Sequence, residues 1–183
     1  ATARAGNVIG GGDWAEDRIV PDSMIAWSQN KTVTIRSPYA TRPWQHVLEP
    51  LSGYLQIGAE LFLRNTACRN ESYNLGPEAD VNKTVEELLS EMKKSWELVN
   101  WKVELPKDKK MKEAGLLKLS CDKANNHLDW YTTLNFKKTI ELTVVWYKKF
   151  YSSKAKDSIS DLTLNQINEY CEVAKTKKLK WTM

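Results

Sequence analysis

Histidine and cysteine are scarce in this chain, with two and three residues among 183. Cys68, Cys121 and Cys171 are far apart and odd in number. That excludes a disulfide framework or a cysteine zinc site and points to a reducing cytoplasm. Neither His46 nor His127 has a Glu or Cys at metal-ligand spacing, and neither belongs to a Ser-His-Asp elbow. His46, in a segment that reads as a strand feeding a helix, is better explained as a structural histidine than as a catalytic one. No apolar run approaches the roughly 20 residues a bilayer-spanning helix needs, and no secretory signal pattern is present. Glycine is sparse too, and Gly10-Gly11-Gly12 satisfies neither GxGxxG, since Asp13 and Trp14 follow, nor GxxxxGK[ST]. This run reads as a turn leaving a strand rather than a phosphate loop, so the NAD fingerprint is absent. The lysine-rich stretches Lys107–Lys112 and Lys175–Lys180 lack interleaved aromatics and read as solvated surface, which argues against nucleic acid.

What remains is an ordinary globular composition: 42% apolar, 27% charged, and a net charge of +4. That is enough for one domain with a real core. A chain that opens at Ala1 inside what reads as a core strand is expected to be a fragment of a longer polypeptide.

Patterning predicts a strand over residues 2–6, a helix from Ile19 to about Gln29 with Pro21 and Asp22 in its first turn, and a strand over Thr32–Arg36. Pro38 and Pro43 bracket a loop. A long amphipathic helix is expected from Glu49 to about Leu63, with Leu51, Leu55, Ile57, Leu61 and Phe62 facing inward. Ser72–Leu75 reads as a strand ended by Gly76-Pro77. Thr84–Met92 reads as a helix with Asn82 as its cap, and Trp101–Leu105 as a short strand. Three further helices are expected, over Cys121–Leu128, Phe136–Tyr151 and Leu162–Thr176. The fold class is α/β with a helical C-terminal third.

The informative constellation is Asn7, Arg18, Arg36 and Arg42, all at the ends of expected elements, where side chains converge on ligands. A guanidinium meets a diphosphate bidentately. Spacing alone leaves a diphosphate site and plain surface charge equally open.

Two segments carry a resemblance. Residues 3–22 (Ala-Arg-Ala-Gly-Asn-Val-Ile-Gly-Gly-Gly-Asp-Trp-Ala-Glu-Asp-Arg-Ile-Val-Pro-Asp) and 42–51 (Arg-Pro-Trp-Gln-His-Val-Leu-Glu-Pro-Leu) closely resemble the CDP-glucose 4,6-dehydratases of the extended short-chain dehydrogenase/reductase family. Weaker likeness continues at Tyr73–Pro77, Leu117–Ala124, Thr143–Tyr147 and Leu162–Ile167. The resemblance implies the C-terminal part of that fold: the last strands and helix of a Rossmann-like sheet over residues 1–80, and a smaller, mostly helical substrate-binding domain over 81–183. It implies a cytoplasmic lyase that turns CDP-glucose into a 4-keto-6-deoxy sugar with bound NAD, in a parent that forms homo-oligomers and feeds deoxysugars to surface polysaccharide. It further implies that Asn7, Arg18, Ile19, Val20, Arg36, Arg42, Asn74 and Glu113 hold the nucleotide sugar. Trp44 and Glu49 are structural in this scheme, and the NAD loop and the catalytic Tyr and Lys fall outside the chain, which alone is expected to be inactive. The alternatives are a non-catalytic remnant or interaction module of the same fold, and a dehydratase or epimerase for another NDP-sugar.

Overall fold

A computed structural model describes residues 1–63, 66–78, 82–104, 119–152 and 157–183. Glu113, the lysine-rich stretch at 107–112 and part of the Leu117–Ala124 match lie outside these residues.

Strand β1 (Thr2–Ala5) runs into β2 (Asn7–Ile9), then a glycine turn and helix α1 (Ile19–Ser28). Strands β3 (Val33–Ile35) and β4 (Thr41–His46) follow, then α2 (Leu48–Phe62), a short 3-10 turn, and β5 (Ser72–Leu75). Next come β6 (Asn82–Thr84), α3 (Val85–Lys93) and β7 (Trp101–Val103). Helices α4 (Asp122–Leu128), α5 (Phe136–Ser152) and α6 (Asp157–Thr176) close the chain. The strands pair as three small sheets: β1 parallel to β5, β2 parallel to β4 with β6 antiparallel on its other side, and β3 parallel to β7. Parallel pairing requires crossovers, and α1 lies in the one that joins β2 to β4.

Two predicted details are corrected. The cap of α3 is Thr84, not Asn82. Its hydroxyl accepts from the Glu87 N–H at 3.1 Å, while the Glu87 carboxylate accepts from the Thr84 N–H at 2.8 Å. This capping box leaves Asn82 inside β6. Helix α2 is also rotated from its expected orientation. Ile57 is buried, but Leu51, Leu55 and Phe62 are exposed, the last two by 76% and 86%. Its core side is instead Glu49, Pro50, Ser52, Gly53 and Gln56. The reason is close approach: a Cβ on Gly53 would lie 2.5 Å from Leu75 Cδ1, so the helix meets β5 through its smallest residue.

The core has two main bodies. The larger joins α1, β2, β3, β4, α3 and α5 around Met24, Trp27, Trp44, Leu88, Met92, Ile140 and Tyr147. The smaller joins α2, β5 and α4 around Ile57, Tyr73, Leu75, Leu128 and Trp130. Glu49 fastens α2 to the helical part. Its buried carboxylate accepts from the N–H groups of Thr133 and Leu134 at 2.9 and 2.7 Å and from the Tyr170 hydroxyl at 3.0 Å. Beside it the Trp130 indole donates to Ser52 Oγ at 3.0 Å.

Candidate functional site

The register of β2 against β4 sets Asn7 opposite Trp44, and the buried Trp44 indole donates to the Lys83 carbonyl at 3.1 Å. One strand residue away from Trp44's neighbour Pro43, Arg42 lies half-buried, its guanidinium donating to the Thr41 carbonyl at 2.8 Å. Helix α1 begins at Arg18, whose backbone is extended and whose side chain does not cap the helix. The first-turn N–H groups of such a helix end carry partial positive charge that favours anions. Pro21 and Asp22 sit in that turn, as the sequence suggested. Arg36 follows directly on β3 and is exposed.

These elements enclose a cavity of about 1190 Å³. Asn7, Arg18, Ile19, Val20, Arg36 and Arg42 line it, so six of the eight residues singled out from the sequence meet at one place. Asn74 does not line it. Its side-chain amide donates to the Ser120 carbonyl at 3.0 Å, tying β5 to the segment whose Leu119 forms part of the cavity wall. Glu113 lies outside the described residues.

Other lining residues were not singled out by sequence reasoning. Val33, Ile35, Trp44, Val85 and Leu119 give the cavity apolar surface, and Asp13, Asp17 and Asp22 bring carboxylates to it. Asp13 Oδ2 lies 3.7 Å from the Arg18 guanidinium. Its position five residues before Arg18, at the end of a glycine turn, was the available signal. A cavity of this size, with an apolar wall and a few convergent guanidinium groups, suits a ligand that joins a flat ring to an anionic linker.

His46 is buried, lines no part of this cavity, and is held by burial well below the usual imidazole range, at about 4. It is therefore neutral at physiological pH, and its Nδ1 accepts the Leu48 N–H at 3.4 Å. Among the described residues no group of His, Cys, Asp and Glu is arranged to hold a metal. Nor is any helix among them long and apolar enough to cross a membrane. In the glycine turn, a Cβ on Gly11 would stand 2.1 Å from the Trp146 ring, so the turn packs directly on α5.

No protein-family model matches the chain. It is 41% identical over 167 residues to CDP-glucose 4,6-dehydratase of Salmonella typhimurium, covering 88% of this chain and 46% of that protein. The chain thus spans about half the length of the curated relative it matches. Its fold is similar to UDP-glucose 4-epimerase of Thermotoga maritima, solved with UDP-glucose (TM-score 0.62, 20% identity, 81% of this chain and 45% of that one). It is also similar to UDP-glucuronic acid 4-epimerase of Bacillus cereus, solved with UDP-glucuronic acid and NAD (TM-score 0.63, 15% identity, 81% and 45%). In sequence the chain is similar to CDP-glucose 4,6-dehydratase, and its fold is that of the C-terminal part of the extended short-chain dehydrogenase/reductase architecture.

Proposed function

We propose that this chain forms the nucleotide-sugar-binding part of a CDP-glucose 4,6-dehydratase, which converts CDP-glucose to CDP-4-keto-6-deoxyglucose and water. The observation that carries this reading is the meeting of Asn7, Arg18, Ile19, Val20, Arg36 and Arg42 around one cavity. The 41% identity to a protein of that name supplies the choice of substrate within the wider nucleotide-sugar class. Arg42, half-buried on β4, and Arg18, at the start of α1, are suited to the diphosphate; the aliphatic and indole wall is suited to the base and ribose. NAD supplies the hydride chemistry of this family, and on this reading its cradle belongs to the part of the parent protein that this chain does not span. On this reading the chain alone binds substrate and does not turn it over.

Calorimetric titration of the folded chain with CDP-glucose, against CDP, UDP-glucose and dTDP-glucose, tests the proposal. Saturable binding with preference for the cytidine ligands is expected. Arg42→Ala should weaken it about tenfold to a hundredfold, the equivalent of one charge-assisted hydrogen-bonding group. A cooperatively folded sample that binds none of the four would overturn it, and a preference for UDP- or dTDP-glucose would move the reading to another member of the nucleotide-sugar class.

A further inference from the structure

The segment that carries Arg18 to the cavity has no regular structure between β2 and α1, yet it is tightly held. The turn at Gly10–Gly12 lies against α5 so closely that a Cβ on Gly11 would stand 2.1 Å from the Trp146 indole, and Gly12 adopts a left-handed φ of 79°. The Trp146 Nε1–H donates to Thr163 Oγ1 on α6 at 2.9 Å, so a second helix buttresses this contact. One residue later, a single hydroxyl grips both polar backbone groups of Asp13. The Asp13 N–H donates to Tyr147 Oη at 3.1 Å, and the Tyr147 hydroxyl donates to the Asp13 carbonyl at 2.6 Å. Trp14 then packs edge-on to Tyr147, with ring centroids 5.4 Å apart. Tyr147 is fully buried, and burial pushes its pKa up, so the hydroxyl remains a donor across the physiological range.

The carboxylate of the residue so held faces the site. Asp13 Oδ1 accepts from the Ala15 N–H at 3.0 Å, which fixes the side chain, and Oδ2 lies 3.7 Å from the Arg18 guanidinium. The Arg18 side chain is 61% exposed, and an ion pair that open contributes little to stability. What it can do is orient a long cation, because one partner is anchored at both backbone and side chain.

We infer that Tyr147 is a positioning residue of the binding site, fixing Asp13 and, through Asp13, aiming the Arg18 guanidinium across the cavity mouth. The inference rests on the proposed nucleotide-sugar reading for its ligand, but its structural content stands apart from any ligand. The ring of Tyr147 belongs to the core and packs against Trp14, while its hydroxyl makes the hydrogen bonds to Asp13. Tyr147→Phe therefore separates the two roles.

The test uses the full chain, with Tyr147→Phe, Arg18→Ala and the double variant, and Tyr170→Phe as a control at another buried tyrosine. Backbone amide relaxation by NMR is read first, without ligand. Residues 13–18 should gain mobility in Tyr147→Phe and not in Tyr170→Phe; unchanged order would overturn the inference even if no nucleotide sugar binds. CDP-glucose titration is read second. Tyr147→Phe should weaken binding about fivefold, as the loss of one hydroxyl's bonds implies, and should have no further effect in the Arg18→Ala background. Losses that simply add, or a Tyr147→Phe chain that binds as tightly as the wild type, would defeat it. Wild type that binds nothing would defeat the functional proposal and leave the relaxation result to decide this one. Should Tyr147→Phe not fold, Asp13→Asn carries the binding expectations, because it removes the charge that orients Arg18 and leaves the backbone bonds to Tyr147 in place.

Discussion

At the scale of single residues, His46 shows how burial rather than partners sets chemistry. Unfolded, its imidazole titrates near 6.5; folded, near 4. The unfolded chain therefore binds more protons between these values, so the stability His46 contributes is full above pH 6.5 and lost as pH falls toward 4. The loss is about 3 kcal/mol. Chemical denaturation followed from pH 7 to 4 should show this decline, and His46→Gln, which keeps an acceptor for the Leu48 N–H, should flatten it. An unchanged acid limb in the variant would refute the assignment. The sequence placed His46 as structural because nothing with metal or catalytic spacing stood near it. It gave no sign that the ring would be buried against the glycine turn, where a Cβ on Gly10 would lie 3.8 Å from its Nε2.

At the scale of elements, the join between α2 and the helical part depends on Glu49. Burial raises its carboxyl to about 6, against the lowering effect of the Thr133 and Leu134 N–H groups, the Tyr170 hydroxyl and the charge of Lys177. The sign is opposite to that of His46: the protonated folded form is favoured between 4.5 and 6. Stability from this source is full below pH 4.5 and lost as pH rises through 6, by about 2 kcal/mol. Removing the side chain is a different matter. Glu49→Ala leaves two buried N–H groups and a hydroxyl without their acceptor and should cost about 3 kcal/mol in urea denaturation at pH 7. Glu49→Gln retains one acceptor oxygen and no longer desolvates a charge, so its cost should be clearly smaller. A more modest device holds α3, where Thr84→Ala removes half the capping box and should cost about 1 kcal/mol. Element positions were mostly legible in the sequence because periodicity and turn residues are local signals. Helix α6 begins at Asp157, five residues before the expected Leu162, and β2 was not anticipated. Three residues are too few for a period to register, and β2 exists because β4 lies beside it.

At the scale of the whole molecule, two features stay uncovered among the described residues. The exposed side of α2 presents Leu51, Tyr54, Leu55 and Phe62, and β1 is paired among the described strands only with β5. An exposed apolar helix stripe and an open strand edge each favour association. Sedimentation velocity should show concentration-dependent self-association, and the double variant Leu55→Lys, Phe62→Lys should reduce it without lowering the midpoint of unfolding. A monomer at all concentrations would contradict this.

The sequence by itself determined the residue types present: arginines and an asparagine at element ends, no dinucleotide fingerprint, no metal-ligand spacing, and two long segments that carry the resemblance to CDP-glucose 4,6-dehydratases. These are properties of order and identity along the chain, and they survive without coordinates. Only the tertiary structure decided which of those residues share a cavity, that Asn74 holds Ser120 instead of lining the wall, and which face of α2 turns inward. It also decided that Asp13 is gripped by a tyrosine 134 residues away. Each of these outcomes depends on contacts between segments distant in sequence, whose geometry is set by parallel strand register and close packing, and neither leaves a local trace.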